Sequence, residues 1–286
     1  TVPTAGGEPT CLTPDNKGEE MRPRYSKDGA AIVYGMQTDP DFYADRVRLV
    51  RYDRKAKTHT VLTEAWDRSA SGWEFDDAGR LVFLAEDRAR VSVFAVPSSG
   101  GTPTALHQGG AVSGLAVTKS RLWFTRQTLT DAAEAWAANS DGQAANAVTR
   151  FTDVALKDIA LGETQELEFA GARGETVQAF IVLPPGFDAK KQYPLVHVIY
   201  GGPPGISADQ FHPRWNGHLF AAPGYVALMV NFHGSTSWGQ EFTQCIQGHW
   251  GEYPMADIEA ATDALVATGF VDEKAMAITG GSYGGY

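Results

Sequence analysis

Residues 280–286 read Gly-Gly-Ser-Tyr-Gly-Gly-Tyr, directly after the apolar run Ala-Met-Ala-Ile-Thr at residues 275–279. A serine framed as G-x-S-x-G at the end of a strand is typical of the nucleophile elbow, a sharp turn from a strand into a helix. The turn needs small residues on both sides of the serine because strand and helix approach closely there. This pattern predicts Ser282 as a catalytic nucleophile, with Gly280 and Gly284 as the elbow glycines.

The residues before the elbow predict buried strands with a helix between them. Apolar runs at 193–200 and 225–232 suit strands that are buried on both faces, and residues 176–183 alternate as a half-buried strand does. Residues 255–268 carry apolar side chains at helical spacing, and a glycine follows where such a helix would end. Strands alternating with a helix are the setting that the elbow requires. We therefore predict the N-terminal part of an α/β-hydrolase catalytic domain over residues 161–286, with a partial, doubly wound sheet.

The first half of the chain alternates short apolar runs with turns rich in Gly, Asp, Ser and Pro, which is typical of strands. A unit at 26–34, Ser-Lys-Asp-Gly-Ala-Ala-Ile-Val-Tyr, recurs at 75–83 as Phe-Asp-Asp-Ala-Gly-Arg-Leu-Val-Phe. Related short segments, each predicted to be a closing strand, lie at 10–13, 60–63, 104–107 and 147–149. Their spacing of roughly 40 to 50 residues is the period of a four-stranded propeller blade. We predict a partial all-β propeller of about three blades over residues 1–160, with a β-sandwich as the alternative.

The charge and hydropathy of the chain exclude some classes of partner. The formal net charge is -10 at pH 7, whereas nucleic acids and anionic membranes select basic surfaces. No apolar run approaches the roughly 20 residues that cross a bilayer. We therefore expect a soluble chain with neither nucleic acid nor membrane as its partner. The compartment, cytoplasmic or periplasmic and secreted, and association into a homo-oligomer stay open.

A hydrolytic serine needs an oxyanion hole as well as a base. In this fold one donor is the backbone amide of the residue after the nucleophile, here Tyr283, and a second comes from the loop after an early strand. That loop reads Tyr-Gly-Gly-Pro from Tyr200, and either its amides or the Tyr200 hydroxyl could donate. The alternative is that Tyr200 is only an aromatic residue at a strand end.

The triad of this fold runs in the order Ser, then Asp or Glu, then His. All seven histidines of the chain precede Ser282, so none of them fits this order. We therefore expect the acid and the base to follow Tyr286 in a longer parent protein, of which this chain lacks parts at both ends. Residues 1–286 by themselves are expected to be inactive.

Other polar residues receive simpler interpretations. The histidines at 212, 218, 233 and 249 lack the short spacing of a zinc site, so we predict no metal and no other cofactor. Asp257 lies near the start of the predicted helix, and a carboxylate is favourable at a helix N-terminus. We expect Asp257 to interact with that terminus, while a role in fixing the region around Ser282 stays open.

Several motifs together resemble the prolyl oligopeptidase family of serine peptidases, and most closely its dipeptidyl-peptidase 5 and acylaminoacyl-peptidase branch. They are Tyr-Gly-Gly-Pro at 200–203, Asn-Phe-His-Gly-Ser at 231–235, His-Trp-Gly at 249–251, Gly-Phe-Val-Asp at 269–272 and the elbow itself. The resemblance covers essentially the whole chain and implies a β-propeller followed by an α/β-hydrolase. It implies Ser282 as the nucleophile, with the Tyr283 amide and the Tyr200 hydroxyl as the oxyanion donors.

The resemblance further implies a serine peptidase that hydrolyses short peptides through an acyl-enzyme at Ser282. Its activity would be of the dipeptidyl- or acylaminoacyl-type, with the propeller restricting access to small substrates. A carboxylesterase is one alternative, since it would share the elbow and the fold, and a preference for short acyl esters would favour it. The other is a propeller binding module with an inactive hydrolase, which a parent protein without the Asp and His would favour.

Overall fold

The computed structural model describes residues 1–286, which form two regions that differ in the type of their sheets. The first region consists of antiparallel strands in three meanders. The second is a five-stranded mixed sheet with helices on both faces. None of the helices combines the length and the apolar character that spanning a membrane requires.

Each meander of the first region has four antiparallel strands. The first comprises β1 (Glu20–Tyr25), β2 (Ala31–Met36), β3 (Arg48–Asp53) and β4 (Thr58–Val61). The second comprises β5 (Ala70–Phe75), β6 (Leu81–Asp87), β7 (Arg90–Val96) and β8 (Thr104–His107). The third comprises β9 (Ala111–Val117), β10 (Arg121–Gln127), β11 (Glu134–Asn139) and β12 (Asn146–Ala147). A single parallel bridge between Val91 and Ala111 links the second meander to the third.

The meanders have the strand number of propeller blades, and their last strands overlap three of the four predicted closing segments. The prediction of a strand at 10–13 is wrong, because no neighbouring strand pairs with it. Instead Leu12 packs on the outer face of the first meander, and its carbonyl oxygen lies 3.0 Å from His59 Nε2. Closure of the meanders into a propeller, and the domain boundary after residue 160, stay predictions.

Trp73 of β5 joins the cores of the first two meanders. Its side chain is 2% exposed, and its indole Nε1 donates to the Arg22 carbonyl oxygen at 3.0 Å. Gly35 of β2 faces the ring so closely that a Cβ at this position would lie 2.5 Å from a ring carbon. The glycine therefore leaves the space that the tryptophan ring occupies, since protein cores are closely packed.

The second region contains five strands and three short or medium helices. The strands are β13 (Thr164–Ala170), β14 (Thr176–Val182), β15 (Tyr193–Ile199), β16 (Val226–Asn231) and β17 (Val271–Gly280). A first short helix, α1 (Phe151–Ala155), precedes this region, and its Thr152 amide donates to Glu134 of β11 at 2.6 Å. The helices of the second region are α2 (Gly217–Ala221), α3 (Gln240–Gln244) and α4 (Tyr253–Val266). The strand order is β13-β14-β16-β15-β17, with β15 at the centre of a parallel trio.

The strands and the helix predicted from the apolar runs are present. β13 and β14 pair antiparallel because the short turn at 171–174 joins them, and parallel strands need a longer crossover. Helix α4 packs on one face of the sheet through Ile258, Ala261 and Leu265, whereas Ala221 of α2 packs on the other. Helices on both faces leave the carboxyl ends of the parallel strands as the exposed edge for a site.

The second meander docks onto the second region through the turn between β6 and β7. Ala89 in this turn is fully buried, and its amide donates to Ser237 Oγ at 3.0 Å. Beside it, the Thr236 hydroxyl donates to the carboxylate of Glu86. These contacts hold the meander next to the loop that follows β16, and that loop belongs to the candidate site.

Candidate active site

Ser282 lies in the turn directly after β17 and begins a short 3-10 helix at 282–285. Its φ angle is 57°, in the left-handed region that non-glycine residues seldom adopt. Such backbone strain costs on the order of 1–3 kcal/mol and is concentrated at functional sites. The residue is exposed to solvent, so the turn presents the serine hydroxyl at the end of a strand, as a nucleophile elbow does.

The two elbow glycines lie where no side chain fits. A Cβ on Gly280 would lie 2.2 Å from the Gly284 carbonyl oxygen, and a Cβ on Gly284 would lie 2.2 Å from the Ile199 carbonyl oxygen. A Cβ on Gly285, by contrast, would make an ordinary contact of 3.8 Å. The close approach of the elbow to the end of β15 therefore accounts for glycine at both predicted positions.

The loop after β15 contacts the serine. A Cβ on Gly201 would lie 3.1 Å from the Ser282 Cβ, so this glycine brings the backbone of the loop against the elbow. Tyr200 and Ser282 line one cavity of about 420 Å³. Its wall also includes Ile206, His212 and Trp215. The structure thus brings the predicted nucleophile and the predicted oxyanion loop together at the carboxyl ends of adjacent parallel strands.

The Tyr200 side chain is held on two sides. Its ring stacks on Phe232 with ring centres 4.5 Å apart and an interplanar angle of 1°. Its hydroxyl oxygen lies 2.6 Å from Ser235 Oγ. Burial raises the pKa of Tyr200 above its ordinary value, so the hydroxyl stays protonated and able to donate at neutral pH.

Tyr283 is anchored by its side chain. The ring packs edge-on against Trp250 at 6.0 Å between centres, and the hydroxyl donates to the Trp250 carbonyl oxygen. Burial raises the pKa of Tyr283 to about 12, which keeps this donor protonated. No carbonyl oxygen of the turns and loops accepts the Tyr283 amide. A residue that is fixed by its side chain and has its amide next to the serine is arranged as an oxyanion donor needs to be.

A buried pair that the sequence did not predict lies behind this site. His233, directly after Phe232, donates its backbone amide to Asp257 Oδ2 at 2.6 Å, and its Nδ1 lies 2.7 Å from the same oxygen. The other oxygen, Oδ1, accepts the Ala172 amide at 2.7 Å. The prediction that Asp257 interacts with the N-terminus of its own helix is wrong, because three donors on two other segments bind this buried carboxylate. The apolar face of α4 gave no signal for these partners.

His212 lies in the wall of the cavity, but its ring has a structural partner on one side. Its Nδ1 accepts the backbone amides of Arg214 and Trp215, each at 3.0 Å. The neutral ring therefore carries its proton on Nε2 and closes the turn that leads to α2. This geometry agrees with the interpretation of His212 as an ordinary hydrogen-bonded histidine.

Two comparisons identify relatives by sequence. Residues 210–286 match the model of the prolyl oligopeptidase family. The dipeptidyl-peptidase 5 of Schizosaccharomyces pombe is 30% identical over 280 residues, which is 94% of this chain and 40% of the relative. The probable dipeptidyl-peptidase 5 of Aspergillus niger is 32% identical over 87% of this chain and 35% of its own length. The chain thus spans well under half the length of these relatives.

Solved structures share the fold. The acylaminoacyl peptidase of Pyrococcus horikoshii superposes with a TM-score of 0.78 at 21% identity, over 92% of this chain and 41% of its own. The dipeptidyl peptidase 4 of Porphyromonas gingivalis gives 0.73 at 22% identity, over 92% and 38% of the two chains. An acylaminoacyl peptidase in complex with Z-Gly-Gly-Phe-chloromethyl ketone gives 0.79 at 20% identity, over 91% and 40%. The resemblance predicted from the motifs is confirmed by sequence: residues 210–286 match the model of the prolyl oligopeptidase family, and the relatives over most of the chain are named dipeptidyl-peptidase 5.

Proposed function

We propose that Ser282 is the nucleophile of a serine peptidase that works through an acyl-enzyme. The observation that carries this proposal is the exposed Ser282 with its φ of 57°, in a turn where Gly280 and Gly284 leave no room for a Cβ. The serine is exposed, so packing does not explain its strained backbone. Its place between two such glycines at the end of a parallel strand favours a catalytic role.

The proposed reaction begins when Ser282 Oγ attacks the carbonyl carbon of a peptide bond. The base is the His expected in the parent protein, which takes the serine proton and later gives it to the leaving amine. The Tyr283 amide and the Tyr200 hydroxyl donate to the carbonyl oxygen as it becomes negative, each contributing about 10²- to 10³-fold in rate. Water then hydrolyses the ester on Ser282, and the serine regains its proton.

Short peptides are the proposed substrates, cleaved as a dipeptidyl- or acylaminoacyl-type exopeptidase would cleave them. The names of the relatives by sequence support the first type, and the peptide chloromethyl ketone bound by a protein of the same fold supports a peptide ligand. The cavity at Ser282, about 420 Å³, has the size of pockets that hold small ligands. The meanders that dock through Ala89 would form the part of a propeller that limits access.

The experiment compares the parent protein with its Ser282→Ala variant. Turnover of dipeptidyl and N-acyl-aminoacyl anilides is expected to fall by about 10³-fold or more, because the nucleophile is lost. Ser99→Ala, in an exposed turn between β7 and β8, is the control and keeps full activity. Unchanged turnover in Ser282→Ala would refute the proposal.

Two further measurements separate the proposal from its alternatives. The parent protein is expected to cleave peptide amides in preference to short acyl esters, and the reverse preference would point to a carboxylesterase. Residues 1–286 alone are expected to show no turnover. His212 at the cavity wall cannot serve as the base, because its Nδ1 accepts two backbone amides and its Nε2 carries the ring proton. Peptidase activity from residues 1–286 would show that a histidine of this chain acts as the base.

A further inference from the structure

The Tyr200 hydroxyl has a partner on the side away from the solvent. Ser235 Oγ lies 2.6 Å from the Tyr200 oxygen, at the end of the short loop that follows β16. Ser235 has no exposed surface, so water does not compete for this hydrogen bond. The direction in which the Ser235 hydroxyl donates therefore determines whether the Tyr200 proton is available for another hydrogen bond.

Ser235 has one hydroxyl proton and two neighbours that can accept it. The Phe232 carbonyl oxygen, also 2.6 Å from Ser235 Oγ, only accepts hydrogen bonds. When Ser235 donates to Phe232, Tyr200 must donate to Ser235, and its proton is occupied. When Ser235 donates to the Tyr200 oxygen, the Tyr200 proton is free to point into the cavity that it shares with Ser282.

The change between these two arrangements leaves no backbone group without a partner. The Phe232 carbonyl oxygen keeps a second hydrogen bond, from the Ser235 amide at 2.9 Å. The heavy atoms of the loop are fixed, since the Gly234 amide donates to the Phe242 carbonyl oxygen at 2.8 Å and Thr243 Oγ1 donates to the Ser235 carbonyl oxygen at 3.1 Å. Only the two O–H bonds have to rotate.

We infer that Ser235 is a positioning residue that frees the Tyr200 hydroxyl to donate a hydrogen bond to the oxyanion. In the resting site, Tyr200 donates to Ser235 and Ser235 donates to the Phe232 carbonyl oxygen. As negative charge develops on the substrate oxygen, Ser235 rotates to donate to Tyr200, and Tyr200 donates to the substrate. No covalent bond forms or breaks in this step. The inference rests on the proposed function, because it assigns Tyr200 to the oxyanion hole.

The acidity of Tyr200 is consistent with this role. Burial raises the pKa of Tyr200, and the hydrogen bond to Ser235 opposes that rise. A donor of lower pKa makes a stronger hydrogen bond to a developing negative charge. Ser235 therefore strengthens Tyr200 as a hydrogen-bond donor by lowering its pKa, in addition to orienting its hydroxyl.

The test uses Ser235→Ala in the parent protein. We expect kcat to fall about tenfold with KM unchanged, since the hydrogen bond matters once charge has developed. The affinity for a peptide aldehyde, which forms a tetrahedral adduct with the serine, is expected to fall by the same factor. In a Tyr200→Phe background, Ser235→Ala is expected to change neither quantity, because no tyrosine hydroxyl is left to orient.

Ser92→Ala is the control, because it removes the hydroxyl of another buried serine, which lies in β7 and does not line the cavity of Tyr200 and Ser282. We expect it to alter thermal stability and to leave aldehyde affinity unchanged. Ser235→Cys keeps the shape of the side chain with a weak donor, and it should lose kcat in the same sense if Ser235→Ala does not fold.

The possible results distinguish the inference from the proposed function. Equal losses from Ser235→Ala with and without the Tyr200 hydroxyl would show a structural role and overturn the inference. Full activity of Ser235→Ala and of Ser235→Cys, in a protein that Ser282→Ala inactivates, would overturn the inference alone. Retained turnover in Ser282→Ala would overturn the proposed function itself.

Discussion

The His233 Nδ1 atom lies 2.7 Å from the Asp257 Oδ2 atom, and neither residue has any exposed surface. The same carboxylate accepts the backbone amides of His233 and Ala172. Asp257 therefore connects three segments: helix α4, the turn between β13 and β14, and the loop after β16. That loop carries Phe232 and Ser235, which hold the ring and the hydroxyl of Tyr200.

Replacing Asp257 by alanine is expected to destabilise the protein by about 3–5 kcal/mol, because it leaves three donors, two of them buried, without an acceptor. Urea unfolding of the parent protein, followed by tryptophan fluorescence, measures the change. Asp263→Ala is the control on the same helix, at an exposed side chain, and should stay within about 0.5 kcal/mol of the unmodified protein. Equal stability of the two variants would show that the buried carboxylate does not hold these segments.

The packing of the elbow predicts different effects of alanine substitution at the adjacent residues Gly284 and Gly285. Gly284→Ala is expected to abolish labelling by a fluorophosphonate, since the new Cβ would lie 2.2 Å from the Ile199 carbonyl oxygen and displace the turn. Gly285→Ala should keep most of the labelling, because its Cβ would make an ordinary contact of 3.8 Å with the Gly280 carbonyl oxygen. The rate of labelling in the parent protein measures both. Similar rates for the two variants would contradict the close packing of the elbow on β15.

Trp73 should contribute more stability than any exposed aromatic of the meanders. Trp73→Ala removes a side chain that is 2% exposed and is expected to cost about 3–5 kcal/mol, whereas Trp123→Ala, at 39% exposure, should cost less than about 1 kcal/mol. Thermal unfolding monitored by circular dichroism in the parent protein compares them. A larger shift for Trp123→Ala would mean that the first two meanders do not share a core at Trp73.

Stability is expected to fall as the pH drops below about 6.5, in part because of His197. Burial lowers the pKa of this β15 residue from the ordinary value of 6.5, and its Nδ1 has no partner. Below that pH the unfolded chain binds a proton that the folded protein does not, so protonation favours unfolding; above it both states are neutral. His197→Gln should reduce the slope of unfolding free energy against pH between about 6.5 and 5. An unchanged slope would contradict this account.

The positions of the candidate site residues were predictable because local patterns encode them. The elbow and the Tyr200 loop each follow an apolar strand, and parallel strands bring such ends to one edge of the sheet. The strands at 193–200 and 225–232 were also predictable from local sequence, since a buried parallel strand is apolar on both faces. The position of Ser282 beside Gly201 follows from these two facts.

The polar contacts behind the site were not predictable, because they depend on side chains far apart in the chain. Asp257 binds donors at residues 172 and 233, and nothing in the local sequence of α4 indicates that pairing. Ser235 likewise gains its significance from Tyr200, which lies 35 residues earlier. The segment at 10–13 resembled the closing strands in composition, but a strand forms only where a neighbouring strand supplies hydrogen bonds.

The central claim is that Ser282 is the nucleophile, and the adduct of a fluorophosphonate with the parent protein tests it most directly. After digestion, mass spectrometry of the peptide that contains residues 280–286 is expected to place the added mass on Ser282, with no adduct in Ser282→Ala. An adduct on another residue, or labelling that persists in Ser282→Ala at the same rate, would contradict the claim.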